Sequence, residues 1–338
     1  MSAIIQSLPL GFPWQTVDPF LFCAYHHDHY PAGDGELGPR ASLAGRSIGQ
    51  DFTIKDGWRM YHGSKVPGFP AHPHRGFETI TVVTRGLVDH ADSMGAAGRY
   101  GQGDVQWMTA GRGVQHSEMF PLVNEDEGNE LELFQIWLNL PASSKMVAPD
   151  FKMIWSEDVP ILTAHDANGN TIEVTVIAGA LEDCRPPSPP SNSWAADPSN
   201  EVAIWVIKLE AGARWSLPTA SENLSRCLYL YEGGALQIED QQFKPETLVA
   251  LRPEQEVNLQ AGGSGCSMLL LQGLPIAEPV AQYGPFVMNT ESEIQQAFRD
   301  YQADQFGGWQ WPRQDQVHPG KKRYAKYPDG AEEHRDLS

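Results

Sequence analysis

Thiols are scarce in this 338-residue chain: four cysteines, Cys23, Cys184, Cys227 and Cys266, stand far apart with no Cys-x-x-Cys pair and no zinc spacing. All four read as reduced, mostly buried thiols. Positive charge is also in short supply. Against 43 Asp and Glu there are 24 Lys and Arg, a formal net charge of -19 that repels a phosphate backbone and argues against direct binding of nucleic acid. One local exception, Lys321, Lys322 and Arg323 beside His318, lies in a segment (313–326) expected to be a solvated tail. No apolar run approaches the ~20 residues a membrane helix needs, and residues 1–12 carry no basic region ahead of their apolar stretch. A cytoplasmic, soluble protein without membrane contact is therefore expected.

What is present points to β structure. The length suits about two domains. Hydrophobic residues make up 41% and charged residues 20%, a globular balance, and 32 Gly with 26 Pro fit many short strands joined by turns. Strand-like runs occupy 77–84, 103–109 and 132–140, and resume at 171–178, 202–209, 224–230, 248–251 and 266–272. Between them, residues 185–200 carry the run Pro186-Pro187-Ser188-Pro189-Pro190 and read as an exposed loop. The single clear helical signal is 290–301. Thr290 can cap it with Glu293 three residues on, and Ile294, Ala297, Phe298 and Tyr301 form an apolar stripe to dock on a β-block.

Chemistry concentrates in two short segments. Residues i and i+2 of an extended chain share a face, so His72 and His74 of His72-Pro73-His74 can aim two imidazoles at one point, with Pro73 stiffening the geometry. His116-Ser117-Glu118 repeats the arithmetic with an imidazole and a carboxylate. Three imidazoles and a carboxylate suit Fe(II), Mn(II), Ni(II), Cu(II) or Zn(II), whereas Mg(II) and Ca(II) prefer all-oxygen cages. Glu78, at even spacing from His72 and His74, is a candidate fifth ligand or a hydrogen-bond acceptor for an imidazole. His26, His27 and His29 sit in a Gly, Pro and Asp-rich stretch with no carboxylate at ligand spacing, while His62, His90, His165, His318 and His334 look isolated.

The runs from Gly68 to Thr79 and from Gly103 to Met119, together with Gln135-Ile136-Trp137-Leu138-Asn139-Leu140-Pro141 and Gly284-Pro285-Phe286-Val287-Met288-Asn289-Thr290, resemble pirin segments. The resemblance implies an all-β bicupin. Its expected parts are a metal-binding N-terminal barrel (1–142), a metal-free C-terminal barrel (143–276), and a helix and tail (277–338) packing back on the barrels. Residues 168–317 lack histidine, as a metal-free second barrel requires. The resemblance also implies one metal, Fe(II), held by His72, His74, His116 and Glu118, and a monomer. Thr109 stands where the wider cupin pattern has proline, a departure pirins share. The long 26–45 stretch and the 185–200 insertion depart from simpler members.

Pirins resemble quercetin 2,3-dioxygenases or act as transcription cofactors, so two functions are implied. The leading one is a dioxygenase that opens a flavonol or similar enol-bearing aromatic with O2, Glu118 serving as ligand and proton acceptor and Phe69, Phe77, Trp107 and Met108 as candidate pocket walls. The alternative is a metal-sensing regulator that binds a protein partner. A zinc or nickel site doing non-oxidative chemistry is a third reading.

Overall fold

The computed structural model describes residues 2–336, which form 24 strands, one α-helix and short 3-10 turns. Two compact units emerge that do not follow chain order. Among the described residues, 2–24, Trp137–Asn139 and Glu157–Ala277 make one; Tyr25–Ile136, Leu140–Ser156 and 278–336 make the other.

The first unit pairs a seven-stranded antiparallel sheet with a four-stranded one. Alternation explains its core. In the strand Thr171–Ala178, Ile172, Val174 and Val176 point inward, and the neighbouring strand Ala203–Leu209 sends in Trp205, Ile207 and Leu209. Leu217, Leu236, Ile238, Val257 and Leu259 close the core from the smaller sheet, leaving an interior filled by apolar side chains.

The second unit combines a five-stranded sheet with a six-stranded one, and its interior is mixed. Phe77–Arg85 is buried along nearly its whole length, as its run of β-branched residues favours. Yet Thr81, His90, Gln106, His116 and Glu118 are buried with it. Such polar groups need partners, and they mark where the site lies.

The helix Glu291–Asp304 begins at Thr290 as its sequence signals. The Glu293 amide donates to Thr290 Oγ1 (3.3 Å) and the Thr290 amide to Glu293 Oε2 (2.8 Å), a reciprocal cap. Ile294 and Ala297 are buried, and with Phe298 and Tyr301 they pack on Phe286 and Met288 of a short hairpin.

Two expectations need correction. The segment 313–326 is not a solvated tail: Arg323–Lys326 pairs with Ala97–Gly101, Arg323 is 1% exposed and donates to Asp104 Oδ1 (2.7 Å), and only Lys321 and Lys322 of the basic cluster stand in water. Charge alone does not reveal that a buried carboxylate awaits Arg323. The stretch holding His26, His27 and His29 is the end of an eleven-residue strand, Phe20–Tyr30, with His26, Asp28 and Tyr30 buried on one face. The run 185–200 is a loop, tied down by Trp194 Nε1 donating to Leu274 O (2.8 Å) and Asn200 Nδ2 to Trp194 O (2.8 Å).

Candidate metal centre

Gly68–His74 and Val114–Met119 pair antiparallel, with His72 opposite His116 and His74 opposite Val114. A bulge between Phe69 and His72 then sets Phe69 against Glu118. Because side chains alternate, the two histidines of the first strand share one face, as their spacing predicts, and the register sets the single histidine of the second beside them. One ring nitrogen from each of His72, His74 and His116 lies within 4.8 Å of the others. Ring centroids are 4.5 Å apart for His72 and His116 and 4.8 Å for His74 with either neighbour.

The protonation pattern suits a cation. His72 Nδ1 sits 2.8 Å from the Pro70 carbonyl, which can only accept, so Nδ1 carries the proton and the Nε2 lone pair is left for the site. His116 is fully buried, and neither ring nitrogen makes a hydrogen bond within the described residues. A buried imidazole left that way costs free energy unless a lone pair is taken up, and this carries the fit to a metal. Burial keeps the group neutral, lowering His72 to about 4; His74 and His116 fall well below the ordinary imidazole value through burial and mutual repulsion.

Glu118 Oε2 stands 3.9 Å from His116 Nε2 but is not within 4.8 Å of all three imidazoles at once. Its partners come from three other strands. Thr81 Oγ1 lies 2.7 Å from Glu118 Oε1 and 2.6 Å from Gln135 Oε1; Gln135 Nε2 donates to Glu118 Oε2 (3.1 Å) and the Tyr100 hydroxyl to Oε1 (3.3 Å). Thr81 has one proton for two acceptors. Whichever way the Gln135 amide is turned, the triangle of Thr81, Gln135 and Glu118 has three contacts and two protons. The third contact is satisfied only when Glu118 is protonated. Burial raises the Glu118 pKa, against the hydrogen bonds that lower it, and so favours the same state.

Several residues stand elsewhere than expected. Glu78 is not on the His72–His74 strand: that strand ends at His74, Phe77 begins another in the opposite sheet, and Thr109 Oγ1 donates to Glu78 Oε1 (2.6 Å). The break is Gly76. Its φ is +86°, and any Cβ there would lie 1.9 Å from Val287 O, so the position requires glycine. Phe77, Trp107 and Met108 are fully buried core, leaving half-buried Phe69 near His72. His90, isolated in sequence, lies opposite Glu118 across the sheet, its ring 5.5 Å from that of His116 and its Nε2 3.1 Å from Asp92 Oδ2. Only long-range register brings it there. His27 and His29 do meet a carboxylate, Glu130, at 2.9 and 3.9 Å, but Arg85 already holds the same oxygen at 2.7 Å. His62, His165, His318 and His334 stay outside this group of three imidazoles. All four cysteines are free thiols, three of them buried.

Comparison with known proteins places the chain in a family. Residues 9–138 match the family model described as Pirin, and residues 204–307 that of the Pirin C-terminal cupin domain. A Pseudomonas aeruginosa protein with a provisional quercetin 2,3-dioxygenase name is 40% identical over 240 residues, covering 70% of this chain and 79% of its own. A pirin-like protein of Solanum lycopersicum is 36% identical over 282 residues, 81% of this chain and 88% of that one. A crystal structure of quercetin 2,3-dioxygenase from Acinetobacter baumannii aligns with a TM-score of 0.70 at 28% identity, over 91% of this chain and 99% of the other. Fold and comparisons together define a bicupin with a histidine-rich candidate centre. The chain belongs to the pirin family.

Proposed function

We propose that this chain is a metal-dependent dioxygenase that acts on a flavonol, quercetin or a similar enol-bearing aromatic, with O2. The observation that carries the reading is the buried His116, without a hydrogen bond at either nitrogen among the described residues, beside two imidazoles gathered with it in one cluster. His72, His74 and His116 would hold the ion, Fe(II) being favoured over Mn, Ni, Cu or Zn by the family resemblance, with Glu118 as the fourth ligand. The bound ion supplies Lewis acidity toward the substrate oxygen and open positions for dioxygen.

The chain's own residues do the rest. A cation beside Glu118 would favour loss of its proton, and the ionised carboxylate then accepts the proton of the substrate enol hydroxyl; Thr81, Gln135 and Tyr100 fix where its oxygens point. Phe69 offers an aromatic face beside His72 for a flat substrate. Names of relatives support the substrate class.

The test is oxygen uptake and bleaching of flavonol absorbance by iron-loaded protein with quercetin. Elemental analysis should find about one transition-metal equivalent, lost in His116→Ala. Full metal retention in that variant, or no oxygen uptake by loaded wild type, overturns the reading.

A further inference from the structure

The first unit has a cavity of about 1010 Å³, open on one side and lined in part by the Pro-rich 185–200 loop. One of the lining residues is Arg226, only 3% exposed. Its Nε donates to Gln272 Oε1 (2.6 Å) and its Nη1 to Pro218 O (2.8 Å), both neutral acceptors. Among the described residues no carboxylate comes within 4.0 Å of this guanidinium; Glu201 and Glu254 act on it only through space. Buried charges in proteins are ordinarily paired, and desolvation lowers this one to about 10. A buried cation bordering a cavity, with hydrogen-bonding capacity unspent at Nη2, is an anion-binding arrangement.

The surroundings narrow the anion. Trp215, Pro187 and Pro218 give apolar surface suited to a flat body, and the volume admits a molecule of one or two rings. Glu182, Asp197 and Glu201 also line the cavity and repel a multiply charged anion such as phosphate about twice as strongly as a single carboxylate. Arg185, by contrast, is exposed to water, and its Nη1 donates to the carbonyls of Glu182 and Cys184. We propose that this cavity is a second ligand site, taking an organic monocarboxylate with a flat apolar body and seating its carboxylate on Arg226. The site is independent of the histidine-rich centre and of the reaction proposed there.

Benzoate is the probe. Calorimetric titration of the full chain should give saturable binding of one equivalent, weakened at least about tenfold in Arg226→Gln and less in Arg226→Lys, which keeps the charge but not the fork. Ala220→Trp, which narrows the cavity without touching the charge, should weaken binding at least about tenfold and serves if Arg226→Gln does not fold. Inorganic phosphate at equal concentration should not displace benzoate. The proposal is overturned if wild type shows no saturable binding up to about 20 mM, if phosphate competes equally, or if benzoate binds both Arg226→Gln and Ala220→Trp as it binds wild type.

Discussion

Lys145 offers a sharp test of how the first histidine segment is held. It is 1% exposed, and its ammonium donates to the carbonyl of Gly76, two residues beyond His74 (2.8 Å), and to that of Val287 (3.2 Å). Burial lowers its pKa from 10.5 to about 8, although Glu278 and Glu293 push the other way. The sign follows from proton binding. Below pH 8 both folded and unfolded chains carry the proton, and the folded state bears the whole cost of the buried ammonium. Between pH 8 and 10.5 the unfolded chain keeps the proton while the folded chain releases it, so stability rises with pH. Each pH unit across that interval is worth about 1.4 kcal/mol, so the gain approaches about 3 kcal/mol by pH 10.5. Lys145→Met removes this titration while keeping similar bulk. Urea unfolding of both proteins from pH 7 to 10.5 should therefore show wild type gaining on the variant by about that amount. Parallel stability curves across the range would refute the argument.

Other perturbations address the same centre. Gly76→Ala places a Cβ against the Val287 carbonyl at a positive φ, and should cost at least about 3 kcal/mol with loss of bound metal; a urea-unfolding loss below about 1 kcal/mol would show that the backbone yields there. Tyr100→Phe removes a donor to Glu118 that lowers its pKa, so the acid limb of quercetin turnover should move up by as much as about one pH unit, with little loss of stability. An unmoved acid limb would detach Tyr100 from the proton acceptor.

The legible parts of the molecule were those written in local spacing. Thr290 and Glu293 announce the helix because a capping box lies within one turn, and Ile172, Val174 and Val176 announce a strand because burial alternates along it. The two histidine segments belong to this class, since i and i+2 place His72 with His74 whatever the partner strand does. Glu78 fails the same arithmetic for a physical reason: even spacing holds only while the strand continues, and Gly76 ends it. The strand Phe20–Tyr30 was hidden because its inward positions carry His26 and Asp28. Those polar residues are paid for by Tyr61 (2.7 Å to His26 Nδ1, 2.6 Å to Asp28 Oδ2) and Arg59 (2.9 Å to Asp28 Oδ2), partners more than thirty residues away.

That distinction also explains why motif and support separate along the chain. The residues next to His74 and His116 are anchored by the segment after residue 290. Arg75 donates to Asp300 Oδ2 (2.7 Å) and to Arg112 O (2.6 Å), and its guanidinium lies 4.5 Å from the Phe306 ring centroid. Gln115 Nε2 donates to Gln305 O (2.7 Å), and its Oε1 accepts from the Tyr301 hydroxyl (3.1 Å). Gly113, at a φ of +137°, leaves the space that the Phe306 ring occupies. One turn of helix and the residues after it thus grip the positions adjoining His74 and His116 in both strands. Strand pairing fixes which face the imidazoles share, but pairing alone leaves each strand free to twist along its length. Anchors on both neighbours remove that freedom, which is what a site requiring ligand placement within a fraction of an ångström needs. The grouping of the three imidazoles is therefore encoded in two short motifs, and its precision in a segment about 190 residues downstream of one of them.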